Sequence, residues 1–565
     1  MKKYSAIEEA LSSGRYQLTE NEAKKILLDY SIPVVPETVV HTAGAAAEAA
    51  EEFGFPVVLK ALGRTLLHKS DKGLLRLNLS SREQVMEAAR HIKTLAGGAL
   101  EGYLVQPQII GNRELVLGMF RDPLFGPAVM FGLGGIFTET LSDVTFRLAP
   151  VSRTDALEML EEIRAKGLLG PVRGQHPVDR EMLVQAILGL SSFCVNTPSV
   201  KEVDINPLIA APDGRIVAVD ALITLYKDEN KDSALPRPVS PEAIGRLFYP
   251  KSIAFVGASS TIGKWGHMLL VNTIHHGFEG DIYLVNAKGG VIAGRPVYRN
   301  ITEVPGPVDL AIVTVPASSV IDLIPQLAEK KVPNMVLVTS GFSETGEAGK
   351  KLQDELVEKA RAAGILILGP NTMGISNPYN RLYCTGAPVA PTAGSTAVVS
   401  QSGNMGAQLM GFAEKQGIGI RGFAGSGNEA MITIEDYLEA FEEDRPTRTV
   451  MLYVESLKNG RRFFEAAKRV GRKKPVVILK GGRSKVGARA AESHTGALSS
   501  DSRMFDAMCR QAGLVQVEHS MDLLDLSASF SSLPLPRGNR AAIMTLGGGW
   551  GVVTADLCSE FALEV

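Results

Sequence analysis

Apolar residues follow two rhythms along this chain. Between residues 20 and 28, Ala23, Ile26 and Leu27 recur at helical spacing among Glu and Lys, which predicts an amphipathic helix. Short β-type runs follow at 57–60, which ends on Lys60, and then at 105–107, 114–118, 129–132, 202–207 and 216–219. Residues 228–240 are polar and Pro-bearing and read as a linker. From 251 the pattern becomes a regular β/α alternation. Strands are expected at 252–256, 282–285, 310–315, 335–339 and 365–368, with helices between them. This is the signature of a doubly wound parallel sheet. A Pro-bearing join at 386–394 leads to a second such block, with strands at 396–399, 450–455 and 476–480. A last strand, 540–545, opens onto a Gly loop and a helix. The expected organisation is 1–230, a linker at 231–245, 246–385, 386–535, and an opening unit at 536–565. One strand and one helix do not make a domain, so this last piece reads as the start of a further one.

The chain has 565 residues, which at about 150 per domain suits roughly four domains. The 59 basic and 61 acidic residues nearly cancel, which argues against a dedicated nucleic-acid binder. The long uncharged stretch 382–413 is broken by Pro388, Pro391, Gln401 and Asn404 and is no membrane span. No apolar run follows the N-terminal Met-Lys-Lys-Tyr, so no signal peptide is expected. Cys194, Cys384, Cys509 and Cys558 form neither a C-x-x-C pair nor a zinc pattern, which points to a reducing, cytoplasmic setting. Glycine is in excess, at 57 residues, and it is clustered.

The clusters carry the candidate chemistry. Gly257-Ala258-Ser259-Ser260 follows a strand and precedes a helix, a turn whose N–H groups suit a pyrophosphate or serve only as structure. The next strand ends on Asn286 and is followed by Lys288 rather than by the acid of a dinucleotide site. That favours a ligand with extra phosphate, such as coenzyme A. Ser400-Gln401-Ser402-Gly403 is a second strand-to-helix turn, readable as an anion site or as an ordinary N-cap. Phe131-Gly132-Leu133-Gly134-Gly135 is a Gly loop that covers phosphates or forms a hairpin. The loop at Gly547-Gly548-Gly549 has no assigned ligand. Two histidines stand out. His494 is followed by small residues, and His68 sits in a polar loop after Lys60. Imidazole is nucleophilic near neutral pH and can carry phosphate, with a carboxylate such as Glu455 fixing its tautomer. Asn206 and Asp220 are oxygen donors of the kind Mg²⁺ prefers.

Taken together, Gly54-Phe55-Pro56-Val57-Val58-Leu59-Lys60, His68-Lys69-Ser70-Asp71, the stretch from Arg121 to Pro127 and the Gly134-Gly135 loop resemble one family. Asp204-Ile205-Asn206-Pro207-Leu208, Gly369-Pro370-Asn371, Ser400-Gln401-Ser402-Gly403 and the run from Ser493 to Leu498 complete the series. The resemblance is to the NDP-forming acyl-CoA synthetases, the ADP-forming acetyl-CoA synthetase branch of the succinyl-CoA synthetase superfamily. It implies a multidomain α/β chain. An N-terminal ATP-grasp unit of α+β type comes first, then a CoA-binding Rossmann-like domain, then a flavodoxin-like ligase domain. The opening of a further flavodoxin-like domain follows.

The implied nucleotide site is Lys60, Gln106, Glu114, Gly134 and Gly135, with Mg²⁺ on Asn206 and Asp220. The implied CoA site is Gly257, Ser259, Ser260, Lys288 and Pro316. Asn371, Ser402 and Gly403 would hold phosphate and acyl group. His494 is implied as the phosphohistidine, Glu455 as its support and His68 as a relay. The implied reaction joins a small carboxylic acid to CoA with ATP, in a cytoplasmic homo-oligomer, a dimer, with no nucleic-acid or membrane partner. Two alternatives are a lyase on the same scaffold, of the dimethylsulfoniopropionate-cleaving type, and a non-catalytic nucleotide and CoA sensor. Thr372 and Met431 stand where the family often has Cys and an acid, which bears on the acyl pocket.

Overall fold

The computed structural model describes residues 4–63, 72–134, 143–172, 174–227, 237–484, 486 and 502–565. The chain divides into two compact units. The first is Met1–Pro236 with Leu457–Glu465 and Ser500–Gly513, and the second is Arg237–Ser456 with Ala466–Ser499 and Leu514–Val565.

The first unit holds two antiparallel sheets. In the smaller, β1 (Thr38–Val40), β2 (Val57–Leu62), β3 (Leu75–Leu79) and β4 (Gly102–Pro107) pair in the order β1-β4-β2-β3. Helices Ala43–Phe53 and Arg82–Ala96 share its core, through Ala46, Ala50, Val85 and Ile92 against Val57, Leu59 and Val105. Both helices open on hydroxyl caps, Thr42 to the Ala45 N–H and Ser81 to the Gln84 N–H. In the larger sheet β5 (Arg113–Asp122), β6 (Gly126–Leu133), β7 (Val144–Leu148), β8 (Val200–Ala210) and β10 (Leu222–Leu225) run in the order β10-β8-β5-β6-β7, and β9 (Ile216–Ala218) pairs with β8. Its core is built with helices Arg153–Glu162 and Arg180–Asn196. The helix expected near 20–28 forms as Glu20–Leu28, closed by a capping box between Thr19 and Glu22.

The second unit holds two mainly parallel sheets. One comprises β11 (Ser252–Val256), β12 (Asp281–Val285), β13 (Gly290–Ile292), β14 (Arg295–Tyr298), β15 (Leu310–Val313), β16 (Asn334–Leu337) and β17 (Leu366–Leu368), in the order β13-β14-β12-β11-β15-β16-β17. The other comprises β18 (Gly374–Asn377), β19 (Leu382–Thr385), β20 (Ala393–Ser400), β21 (Ile420–Gly425), β22 (Thr449–Val454), β23 (Val476–Lys480) and β24 (Val515–Val517), in the order β19-β18-β21-β20-β22-β23-β24. Every residue of β11 and β23 is buried, as befits parallel strands covered on both faces. Chain order reverses at β11/β15 in the first sheet and at β20/β22 in the second. Such reversals open crevices beyond the carboxyl ends of the strands, where α/β sheets bind ligands. Helix Pro241–Phe248, capped by Ser240, begins inside the stretch expected as linker, 231–245.

One expected strand does not form. Residues 540–545 make only a single bridge, Arg540 to Glu564. A strand exists only where a neighbour takes up its backbone hydrogen bonds, and Met544 is 99% exposed. The helix beyond it, Gly548–Glu560, forms as expected.

Candidate active site

The nucleotide-type residues lie in the first unit. Lys60 leaves β2 as a buried side chain and donates to Glu20 Oε1 at 2.6 Å and to the Val219 carbonyl at 2.8 Å, with Asp220 Oδ2 at 3.7 Å. Burial lowers its pKa, but the charges of Glu20, Asp220 and Glu37 outweigh burial and the net direction is up, so Lys60 stays cationic. Gln106 is buried on β4, where its Oε1 accepts from Lys24 Nζ at 3.0 Å. Lys24 also reaches Glu20 at 2.8 Å and Glu37 at 2.7 Å. One carboxylate, Glu20, therefore holds two buried lysines.

Glu114 is exposed on β5, and its carbonyl accepts from the Gly134 N–H at 2.8 Å. A Cβ on Gly134 would lie 2.5 Å from the Leu115 carbonyl oxygen, so close backbone approach alone requires glycine there. Gly135 and His68 lie outside the described residues.

Asn206 shares β8 with Asp204, and Asp220 follows β9. Burial, then the charges of Glu202 and Asp220, push the Asp204 carboxyl up to about 6. Negative charge crowded among oxygen donors fits Mg²⁺, which takes one or two carboxylates plus water and phosphate. Among the described residues no group of three or more His, Cys, Asp or Glu is arranged for a metal.

The second unit carries the rest. Gly257 has φ +94°, and a Cβ there would meet Thr314 Oγ1 at 2.7 Å. Its N–H donates to the Val285 carbonyl at 2.9 Å. The turn is thus tied to β12, and the more open part of the loop begins at Ser259 and Ser260. Ser259 Oγ accepts from the Thr261 N–H at 3.0 Å, while Ser260 and Lys288 are exposed. The following helix, Trp265–His275, approaches so closely that a Cβ on Gly266 would sit 2.2 Å from the Gly257 oxygen. Pro316 stands at the N-cap position of helix Ala317–Glu329.

A cavity of about 440 Å³ opens at the carboxyl ends of both parallel sheets. Trp265, Pro316, Thr339, Asn371, Ser402 and Gly403 are among its lining. Asn371 is held in the left-handed region, φ 59°, by its N–H to the Thr339 carbonyl at 3.0 Å. Ser402 caps helix Gly403–Gln416 through the Met405 N–H, so the positive end of that helix meets the cavity. Glu455 is buried just past β22, with its carboxylate 3.2 Å from the Tyr453 hydroxyl. Lys480 Nζ donates to the Glu455 carbonyl at 2.7 Å. Burial lowers the Lys480 pKa, and Glu455 offsets only part of that. Thr372 lines the cavity and donates to the Gly425 carbonyl, whereas Met431 packs in the core of the first parallel sheet. His494 lies outside the described residues.

The structure adds groups that motif and periodicity do not single out. Glu20 and Lys24 sit in a helix that periodicity alone describes as amphipathic. Lys480 had a visible signal, a charge ending the apolar run Val476–Leu479. Gln401 lies inside a motif whose backbone alone suggests a role.

Comparison with known proteins decides the family. An ATP-grasp domain model matches residues 9–225, a CoA binding domain model 251–378 and a succinyl-CoA ligase like flavodoxin domain model 393–530. Acetate–CoA ligase [ADP-forming] II of Archaeoglobus fulgidus is 37% identical over 545 residues, 95% of this chain and 79% of that one. The chain belongs to the ADP-forming acetate–CoA ligase family. Another member of that family, the ligase I subunit alpha of Pyrococcus furiosus, is 41% identical over 323 residues, 56% of this chain and 70% of that one. Among solved structures, the dinucleotide forming acetyl-coenzyme A synthetase 1 of Ca. Korarchaeum cryptofilum, in complex with phosphate and ADP, matches with a TM-score of 0.55. It is 35% identical, over 57% of this chain and 69% of that one. These ligases favour neither the lyase nor the sensor alternative. No helix among the described residues is long and apolar enough to cross a membrane.

Proposed function

We propose that this chain is an ADP-forming acyl-CoA synthetase, converting a small carboxylic acid, CoA and ATP into acyl-CoA, ADP and phosphate. The observation that carries the reading is the cavity at the carboxyl ends of both parallel sheets, set with Asn371, Ser402 and Gly403 and backed by Gln401, which bonds the Glu455 backbone. Lys60, Gln106, Glu114, Gly134 and Gly135 bind ATP. Mg²⁺, held by Asn206 and Asp220, supplies positive charge to the phosphate oxygens. Lys60 orients the same phosphates, and its partners keep it charged.

The γ-phosphoryl leaves ADP as its P–O bond breaks and a P–N bond forms on imidazole, with His68 relaying it to His494. Glu455 and the helix end at Ser402-Gly403 steady His494 while it exchanges its phosphoryl with the substrate carboxylate. The P–N bond then breaks as a substrate carboxylate oxygen takes the phosphoryl, giving an acyl phosphate. CoA, bound by Gly257, Ser259, Ser260, Lys288 and Pro316, attacks the acyl carbon through sulfur. The C–O bond breaks and phosphate leaves. The enzyme acts in the cytoplasm as a homodimer.

The test is labelling with γ-radiolabelled ATP. Acid-labile label is expected on His494 and absent in His494→Ala. His68→Ala is expected to block labelling from ATP but not from acyl-CoA plus phosphate. Normal labelling and turnover in His494→Ala would overturn the mechanism.

A further inference from the structure

We propose that Gln401 is a positioning residue for Glu455, acting on the acyl-CoA side of the reaction. The inference rests on the ligase reading above. The parallel ladder between β20 and β22 runs to Ser400 and Tyr453, and the Gln401 N–H adds a last bond to the Tyr453 carbonyl at 3.1 Å. Beyond that point the two chains part. One turns into the Ser402 cap, with Ser400 Oγ donating to the Ser402 carbonyl at 2.7 Å. The other carries Glu455 and Ser456, both buried, whose N–H groups still need acceptors.

The Gln401 side chain meets that need. Its Oε1 accepts from the Glu455 N–H at 2.6 Å and the Ser456 N–H at 2.9 Å. Its Nε2 donates to the Ser456 carbonyl at 2.7 Å and to Glu429 Oε1 at 2.9 Å. Only a carboxamide offers a paired acceptor and two donors on one plane. Glutamate has the acceptors without the donors and would face Glu429 with like charge.

The pinned residue is the one with chemistry to perform. Gln401 fixes the Glu455 N–H, Lys480 fixes its carbonyl and the Tyr453 hydroxyl meets its carboxylate. Gln401 also lines the cavity beside Ser402. Glu455 is thereby held in one place relative to the helix end that receives phosphate. Loosening the backbone of a supporting carboxylate costs rate at the step it supports, and a misplacement near 1 Å costs on the order of 100-fold.

The experiment compares Gln401→Met, which nearly keeps the volume, and Gln401→Ala with wild type. Phosphoenzyme formation is timed from γ-labelled ATP and, separately, from acetyl-CoA with labelled inorganic phosphate. The expected result is an acyl-side rate reduced on the order of 100-fold, with the ATP-side rate unchanged. Equal loss from both sources marks a purely structural role and overturns the proposal, as does no loss from either. Hydrogen exchange gives a readout that needs neither substrate nor turnover. The Glu455 and Ser456 amides are expected to be protected in wild type and to exchange about tenfold faster in Gln401→Met; unprotected wild-type amides, or equal rates, overturn the proposal. Label persisting in His494→Ala would instead sink the ligase reading itself.

Discussion

Replacing Glu20 by Gln tests the electrostatic argument in the first unit. Glu20 holds Lys60 at 2.6 Å and Lys24 at 2.8 Å, and all three side chains are almost wholly buried. Removing one partner of a buried pair costs about 3–5 kcal/mol, because a charge is left without compensation. Here the lower end applies. Lys24 keeps Glu37 at 2.7 Å and Gln106 at 3.0 Å, and Lys60 keeps the Val219 carbonyl at 2.8 Å and Asp220 at 3.7 Å. A loss of about 3 kcal/mol corresponds to opening on the order of 100-fold more often. Trp265 and Trp550 both lie in the second unit, so tryptophan fluorescence is blind to this change. Peptide-resolved hydrogen exchange over β2 reads it directly. Saturating ATP with Mg²⁺ is expected to narrow the difference, since phosphate supplies Lys60 with the missing negative charge. Glu51→Gln, which breaks an exposed pair with Arg82 at 2.6 Å, is the control and should change little. A rise below about fivefold, under 1 kcal/mol, would refute the claim that Glu20 organises these lysines.

Further outcomes follow from close contacts and paired charges. Gly266→Ala puts a methyl group 2.2 Å from the Gly257 oxygen and should weaken CoA binding while leaving ATP binding intact, measured by calorimetry with each ligand. Asp444→Asn removes the partner of Arg421, which it holds at 2.7 and 2.8 Å, and should cost about 3 kcal/mol in urea unfolding followed by Trp265 fluorescence. Burial raises the Asp444 carboxyl, but Arg421 and Thr447 outweigh it and the net direction is down. Its contribution is therefore full above the unfolded-state carboxylate range and lost as pH falls through the folded value, so wild type and Asp444→Asn should converge in stability only in acid. Trp265→Ala widens the cavity wall and should shift the acid preference in a substrate panel toward bulkier acids, with label on His494 from ATP unchanged.

The residues that ended up readable from sequence are those whose job is local. The strand expected at 57–60 forms and runs two residues further, to Leu62, and the glycine after β11 marks a turn because backbone sterics act within a few residues. The motif at Ser400-Gly403 is legible for the same reason, since an N-cap is a contact between near neighbours. Gln401 was not legible. The four hydrogen bonds of its side chain reach residues 28 to 55 positions away, and nothing in a Ser-Gln-Ser-Gly run shows where an amide will point. Thr339 and Asn371 meet only because two strand ends in one sheet lie side by side.

Legible in the sequence were most of the strands and helices, the two parallel-sheet blocks, the strand-end turns and the residue types expected to carry the reaction. Periodicity and turn chemistry are short-range properties, and the chain carries them in the clear. Tertiary structure alone decided pairing. It joined β18 and β19 to β21 in the second parallel sheet, left residues 540–545 without a strand partner, and set Glu20 between two lysines. Each outcome depends on which distant backbone or charge is brought near, and burial makes the presence or absence of that partner worth several kcal/mol.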